Sequence, residues 1–315
     1  MRTVRCDFCG SSNSIDLYQL KDWITKTPGV FQLVRCQSCN LLYLNPRPTW
    51  EELQGYYPED YHPYRVYAKN AEYNLLQKAR DVVWKRRAKA VLGYQPKGGR
   101  LLDVGCATGE FLFEIERQGV WECYGVEPVT FAAFIAKQET HAYIKEGTLQ
   151  ECAYSDQFFD VVTAWDVLEH TDNPNNTLRE IFRILRPGGV LVLRIPDPDS
   201  YTARLFKSYW IGFDAPRHLF GFPRSFVIRS LEELGFNIRE VRFLSSEHFT
   251  VFASMSAFLY DKGFFLLARL SEKVAYSTLA RIIFSPAFHL LRFLGMGSAP
   301  VYFATKRNLN STVES

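Results

Sequence analysis

The sequence predicts an α/β protein built on a mostly parallel sheet with helices on both faces. Strand-like and helix-like runs alternate from residue 100 onward: 100–104 then 109–118, 121–127 then 129–138, 142–145, 159–165 then 174–185, and 190–195. Such alternation is what parallel pairing requires, because a parallel neighbour is reached only through a long crossover. A second observation is the run Leu101-Leu102-Asp103-Val104-Gly105-Cys106-Ala107-Thr108-Gly109-Glu110-Phe111-Leu112, in which an acid closes an apolar strand and two glycines frame a tight turn into a helix. A third is that Asp103, Glu127 and Asp166 all fall at predicted strand ends, the edge where sheets of this kind bind ligands.

Taken in chain order, the first element is a pair of knuckles, Cys6-Asp7-Phe8-Cys9-Gly10 and Cys36-Gln37-Ser38-Cys39-Asn40. Two C-x2-C pairs can offer four thiolates to a tetrahedral zinc ion. Gly10 and Asn40 stand where a backbone turning its N–H groups toward sulfur needs a positive φ. Residues 15–18 and 31–34 alternate as strands between the knuckles, so 1–45 reads as a zinc-ribbon-like module. Cys6, Cys9, Cys36 and Cys39 would fill all four positions, which makes the metal structural. The bland alternative is four incidental reduced cysteines.

Residues 46–95 read as a helical linker or lid. Two prolines in Asn45-Pro46-Arg47-Pro48 stop any strand, and Thr49 with Glu52 makes a capping box. A tyrosine-dense stretch follows (Tyr56, Tyr57, Tyr61, Tyr64, Tyr67), then an amphipathic helix over 71–92 whose Lys85, Arg86, Arg87 and Lys89 read as a solvated face. Residues 96–250 and 298–307 form the α/β core, with a helix at 224–234 and strands at 236–244 and 301–306. Residues 251–297 are an apolar helical insertion, interrupted by Pro286, and 308–315 read as a disordered tail.

The glycine loop is D-x-G-x-x-x-G, which differs from the G-x-G-x-x-G dinucleotide turn and, lacking Lys-Ser or Lys-Thr after Gly109, from a triphosphate loop. Together with Trp121–Pro128, Phe159–His170 and Arg186-Pro187-Gly188-Gly189 in this order, it resembles the class I S-adenosylmethionine-dependent methyltransferases, of the type 11/type 23-like kind. The resemblance covers about 95–245 and returns near 299–306. It implies a Rossmann-like seven-stranded sheet. It also implies a cofactor site made of Asp103, Gly105, Cys106, Ala107, Thr108 and Gly109, with Glu127 on the ribose hydroxyls, Thr148 and Leu149 beside adenine, and Trp165 and Asp166 on the methionine side. Cys106 reads equally as a small packing residue, and Leu149 as ordinary core.

Methyl transfer to oxygen needs a proton acceptor, and a neutral histidine suits that role. His170 resembles the family's Leu-Glu-His motif, and His218 lies in a Pro-Arg-His segment similar to one that helps close acceptor sites in this subgroup. Both also read as structural histidines. Tyr61, with its neighbours, is a further candidate on the acceptor side. The four-cysteine module, the Asn-Pro-Arg-Pro run and the Pro-Arg-His segment resemble methyltransferases of bacterial polysaccharide and natural-product pathways. A small-molecule acceptor, a sugar or lipid-linked glycan, is therefore expected.

Composition bounds these readings. The chain has 315 residues, 47% hydrophobic, enough for one large domain with appendages or two domains. A formal charge of +3 does not announce a nucleic-acid binder, and Trp165-Asp166-Val167-Leu168 stands where amino-methylating nucleic-acid enzymes carry an Asn- or Asp-Pro-Pro-aromatic motif. RNA or DNA methylation with the ribbon as reader, and a cofactor-binding scaffold without catalysis, stay open as alternatives. Met1–Cys6 has no apolar signal core, and seven cysteines without one suit a reducing cytoplasm. Residues 251–297 could rest on the inner membrane face or pack on protein; they hold no uncharged run of about 18 residues. The oligomeric state is not legible.

Overall fold

The structure is a computed structural model that describes residues 1–56, 71–95, 97–245 and 247–308. Tyr61 and the tail beyond 308 lie outside the described residues. Strands β1 (Ser14–Leu20), β2 (Phe31–Cys36) and β3 (Leu42–Leu44) come first, followed by α1 (Trp50–Gln54) and α2 (Ala71–Leu92). The α/β run is β4 (Gly99–Val104), α3 (Glu110–Glu116), β5 (Trp121–Glu127), α4 (Thr130–Glu139), β6 (Tyr143–Glu146), β7 (Phe159–Trp165), α5 (Pro174–Ile184) and β8 (Leu185–Arg194). Then come α6 (Tyr201–Phe206), β9 (Phe220–Gly221), α7 (Arg224–Leu234), β10 (Phe236–Arg242), α8 (His248–Asp261), α9 (Phe265–Tyr276), α10 (Thr278–Phe293) and β11 (Val301–Lys306).

These elements form two compact units, and neither is continuous in sequence. The sheet unit takes Glu59–Arg194, Ile228–Leu244 and Val301–Ser315; the cysteine unit takes Met1–Pro58, Ile195–Val227 and Ser245–Pro300.

In the sheet unit seven strands run in the order β10-β11-β8-β7-β4-β5-β6. The pairs β4–β5, β4–β7, β5–β6 and β7–β8 are parallel, and β11 runs antiparallel to both its neighbours. This is the expected Rossmann-like seven-stranded sheet. Strand order reverses between β4 and β7, so the ligand edge lies at their carboxyl ends. The central strands are buried along nearly their whole length: Leu101, Leu102 and Val104 on β4, Val161, Val162 and Ala164 on β7, and Val190 to Leu193 on β8. Continuous apolar runs of this kind follow from having helices on both faces. The α5 helix is started by Asn173, whose side chain accepts from Asn176 N–H, with Pro174 in the first turn where its missing donor costs nothing. The Pro187–Gly189 turn is a bulge inside β8, whose register shifts between Phe159 and Val161 on β7.

In the cysteine unit β1-β2-β3-β9 form an antiparallel sheet. Thr49 and Glu52 make the capping box of α1 as expected. Two arginines hold the unit together from inside. Arg47 forms a two-pronged pair with Asp7, 2.6 and 3.2 Å, and lies over the Phe220 ring at 4.4 Å. Arg217, fully buried, donates to Asp22 at 2.7 and 2.9 Å and to Asp214. Segment 195–223, left without elements by the sequence reading, supplies α6, two short 3-10 turns and β9. At two residues, β9 is too short for any periodicity to reveal.

The apolar insertion is helical as expected and, with the three residues before it, holds three helices, α8, α9 and α10. Pro286 does not break the last of them: α10 runs through it. Proline removes one helical hydrogen bond, and an exposed position tolerates that loss because water can satisfy the carbonyl left behind.

Candidate functional site

The site is built at the carboxyl ends of β4, β5 and β7 in the sheet unit. β4 delivers Asp103, which is buried and accepts from Thr163 Oγ1 at 2.5 Å. Burial pushes its carboxyl up to about 7, against the hydrogen bond from Thr163 and the nearby Arg87 cation, which pull it down. The loop then turns with φ of +67° at Gly105, +48° at Ala107 and +89° at Gly109. Glycine is required twice over at its two ends. A Cβ at Gly105 would stand 2.7 Å from Val167 Cγ2, and one at Gly109 would stand 2.9 Å from Thr140 Cγ2.

Glu127, at the end of β5, locks this loop. Its Oε2 accepts from Ala107 N–H at 2.9 Å and its Oε1 from Val129 N–H at 2.9 Å. Burial raises this carboxyl, and the two N–H donors counter the rise. An ionised carboxylate has about four acceptor positions, so two remain after these bonds, the number a ribose diol needs. Thr108 is buried and its hydroxyl donates to Glu110 Oε2 at 2.7 Å. Cys106 is buried against Gly125, whose Cβ would meet its sulfur at 2.7 Å. Burial and the neighbouring carboxylates raise its thiol well above the ordinary range, which disfavours the nucleophilic thiolate.

Beyond β7, Trp165 is buried edge-on to Phe111, with ring centroids 5.3 Å apart. Asp166, at φ +59°, pairs with Arg194 and lies 3.8 Å from Arg87 Nη2. Arg87 corrects the expectation of a solvated basic face on α2. It is only 6% exposed and lies over the rings of Trp84 and Trp165 at 4.5 and 4.6 Å. Desolvation lowers it to about 9, helped by Arg194 and opposed by Asp166 and Asp103. Sequence reasoning missed it because it counted charges along the helix. The i, i+3, i+4, i+7 spacing of Trp84, Arg87, Ala88 and Val91 places Arg87 on the buried face.

Thr148 donates from both its N–H and its hydroxyl to Glu151 Oε2 at 2.7 Å, and Leu149 is buried beside it. His170 ends a short 3-10 turn, Leu168–His170, directly after β7. His218 belongs to the cysteine unit. Its Nδ1 is 2.9 Å from Gly212 O; a carbonyl only accepts, so Nδ1 carries the proton and Nε2 is the basic nitrogen of the neutral ring.

In the cysteine unit, the Sγ atoms of Cys6, Cys9, Cys36 and Cys39 all lie within 4.8 Å of one another. The shortest approaches are Cys6–Cys39 at 3.4 Å and Cys9–Cys36 at 3.5 Å. Four sulfurs about 2.3 Å from a tetrahedral ion stand about 3.8 Å apart, so the cluster fits a metal of that kind. Each knuckle closes as expected. Gly10 N–H donates to Cys6 O and Asn40 N–H to Cys36 O, with φ of +70° and +73°. The hydrogen bond between Cys6 and Cys39 lowers the first thiol to about 5 and raises the second.

A family model described as a methyltransferase domain matches residues 76–241, more than half of the chain. Among similar proteins are an uncharacterized protein of Methanocaldococcus jannaschii, 28% identical over 58% of this chain and 86% of its own length. A demethylmenaquinone methyltransferase of Deinococcus radiodurans is 34% identical over 41% of this chain and 57% of its own length. A ubiquinone biosynthesis O-methyltransferase of Alkalilimnicola ehrlichii is 29% identical over 45% and 66%. The chain thus spans about two thirds or less of the two quinone-methylating relatives. A solved S-adenosylmethionine-dependent methyltransferase of Archaeoglobus fulgidus shares the fold, with a TM-score of 0.50 over 75% of this chain and all of its own, at 20% identity. The chain belongs to the methyltransferase-domain family, and its fold is that of an S-adenosylmethionine-dependent methyltransferase.

Proposed function

We propose that the chain transfers a methyl group from S-adenosylmethionine to a small-molecule acceptor, with a sugar or lipid-linked glycan as the acceptor class. The observation that carries the cofactor reading is Glu127. It holds the glycine loop through Ala107 and keeps acceptor capacity for two hydroxyls. Bound there, the cofactor supplies a sulfonium-activated methyl; the protein's part is to align it with the acceptor.

Gly105 and Gly109 leave room for that ligand's close approach. Arg87, a desolvated cation beside Asp166, suits the methionine carboxylate, and Asp103 suits its positive groups. His218, with a basic Nε2, and His170 are the proposed proton acceptors. Tyr61 is a proposed acceptor-side residue. The four-cysteine cluster is proposed to hold one structural zinc ion. The formal charge of +3 over 315 residues and the run Trp165-Asp166-Val167-Leu168 after β7 do not favour a nucleic-acid acceptor.

Glu127→Ala removes both the diol acceptor and the loop tether. Calorimetric titration with S-adenosylmethionine should show affinity at least about ten-fold lower, since bonds to a charged group are worth about 1.5–3 kcal/mol each. Wild-type affinity in that variant would refute the assignment.

The raised Asp103 predicts a pH dependence. In the free protein its carboxyl is pushed up to about 7, and a cationic ligand favours the ionised form, so binding releases a proton. Affinity should climb as pH rises toward 7 and level off above it. Titrations in buffers of different ionisation enthalpy count the proton, and Asp103→Asn should flatten the profile.

His218→Ala should keep cofactor affinity within about two-fold while lowering kcat by about 10²-fold or more, the range for a lost general base. Unchanged turnover would assign the ring a structural role. Metal analysis should find one zinc per chain, lost in Cys36→Ser, and chelation should lower the melting temperature.

A further inference from the structure

Helix α9 reverses the usual burial of an amphipathic helix, and α10 leaves most of its large apolar side chains outside. On α9 the buried residues are small, Ala268, Ser271 and Ala275, whereas Leu266 and Leu270 point outward, the former 82% exposed. On α10 only Phe288 is buried, and Leu279, Ile282, Ile283 and Phe293 recur at helical spacing on an exposed face, Phe293 at 83% exposure. A protein surrounded only by water gains most by burying the large side chains and exposing the small ones. Small-inside, large-outside packing is instead the rule where the surroundings are hydrocarbon, because close helix contact then rests on small residues and side-chain hydrogen bonds. Such bonds are present at the α8–α9 contact: Ser256 Oγ donates to Ala268 O at 2.9 Å, and Ser271 Oγ donates to Phe252 O at 2.8 Å.

The geometry fits lying on a bilayer better than crossing it. Neither helix is long enough alone, at 12 and 16 residues, and the two are bent by 80°. A spanning helix needs about 20 residues. Charge names the kind of surface. Helices α9 and α10 carry Arg269, Lys273, Arg281 and Arg292 against a single acid, Glu272, a formal +3; the chain as a whole is +3, so all other residues together are neutral. Glu272 itself is 3.7 Å from Lys26 Nζ. Juxtaposed copies of a face this cationic repel one another, whereas anionic headgroups attract it.

We propose that α9 and α10 form a membrane-docking element that seats its outward leucine, isoleucine and phenylalanine side chains in the interface of an anionic lipid bilayer, in the manner of an interfacial amphipathic helix. The proposal is independent of the methyl-transfer reading.

The test is co-sedimentation of the full-length protein with phosphatidylcholine vesicles made with and without phosphatidylglycerol. Wild type should sediment with the anionic vesicles, more weakly with the neutral ones, and less as salt is raised. The double variant L266E/F293E alters two side chains that face outward. It should keep the wild-type melting temperature and lose partitioning by at least about ten-fold. R269E/K273E should weaken binding to anionic vesicles and leave binding to neutral ones unchanged. Absence of binding to either vesicle overturns the proposal, as does binding undiminished in L266E/F293E. A dimer in solution that L266E/F293E dissolves, without vesicle binding by wild type, would assign the face to a second copy of the chain and overturn it equally.

Discussion

The glycine loop depends on one buried carboxylate. A chain that turns through three positive φ values in five residues pays backbone strain at Ala107, the one member that is not glycine. The Ala107 N–H bond to Glu127 Oε2 offsets that strain, and the second bond from Val129 fixes the carboxylate's orientation. The same two donors keep Glu127 usable as an anion in a place where burial disfavours charge. Loop shape and hydroxyl-binding capacity are therefore one arrangement: disturbing the tether disturbs both. The tight contacts of Gly105 with Val167 and of Gly109 with Thr140 follow from it, because a loop drawn in toward β5 leaves no space for a Cβ at either end.

Charge buried among aromatic rings recurs through the chain. Arg87 over Trp84 and Trp165, and Arg47 over Phe220, satisfy a guanidinium's plane with ring faces and its edges with carboxylates. Arg217 does the second part alone, between Asp22 and Asp214. Asp22 also accepts from Ile24 and Thr25 N–H groups, so its charge is shared with a turn as well as with the arginine. Removing one member of such a pair leaves an unmatched buried charge, which costs more than the pair contributes. These residues therefore fix geometry at sites where apolar contacts alone would allow sliding.

The sheet and the glycine loop were legible because they rest on local signals, although the strand read as 190–195 begins at Leu185, ahead of the Pro187–Gly189 bulge. Apolar runs of strand length, crossover helices of 7 to 11 residues and glycines at forced turns all lie within a few positions of one another. The two knuckles were legible for the same reason, down to the left-handed Gly10 and Asn40. What escaped was non-local. Arg87 was read as surface because its partners, Trp165 and Asp166, lie almost 80 positions on; Arg217 was given no role of its own, its partner Asp22 being 195 positions away. The grouping of 195–227 with the first 58 residues rests on the Asp22–Arg217 pair, on Phe8 against Phe222 and Phe226, and on β9, two residues pairing with β3. Pattern cannot foresee a pairing that short. The Asn-Pro-Arg-Pro run was read as a strand breaker and a family likeness, and the arginine between its prolines clasps Asp7 inside the first knuckle.

The two groups of functional residues also differ in how they are constrained. Every residue assigned to the cofactor falls between 87 and 166 in the sheet unit, on strand ends or loops whose shape follows from the strands themselves. His218 and the three helices from 248 to 293 belong to the cysteine unit, where shape is set by buried ion pairs and by the sulfur cluster. A scaffold of that kind holds its backbone without prescribing what its loops and helix faces present outward. Arg217 illustrates the separation: its side chain is engaged with Asp22, Asp214 and the Tyr56 carbonyl, and His218 follows it in the chain. The imidazole is then oriented through Gly212, six residues before it. The bond of Nδ1 to the Gly212 carbonyl favours one tautomer, which suits the proposed proton acceptor.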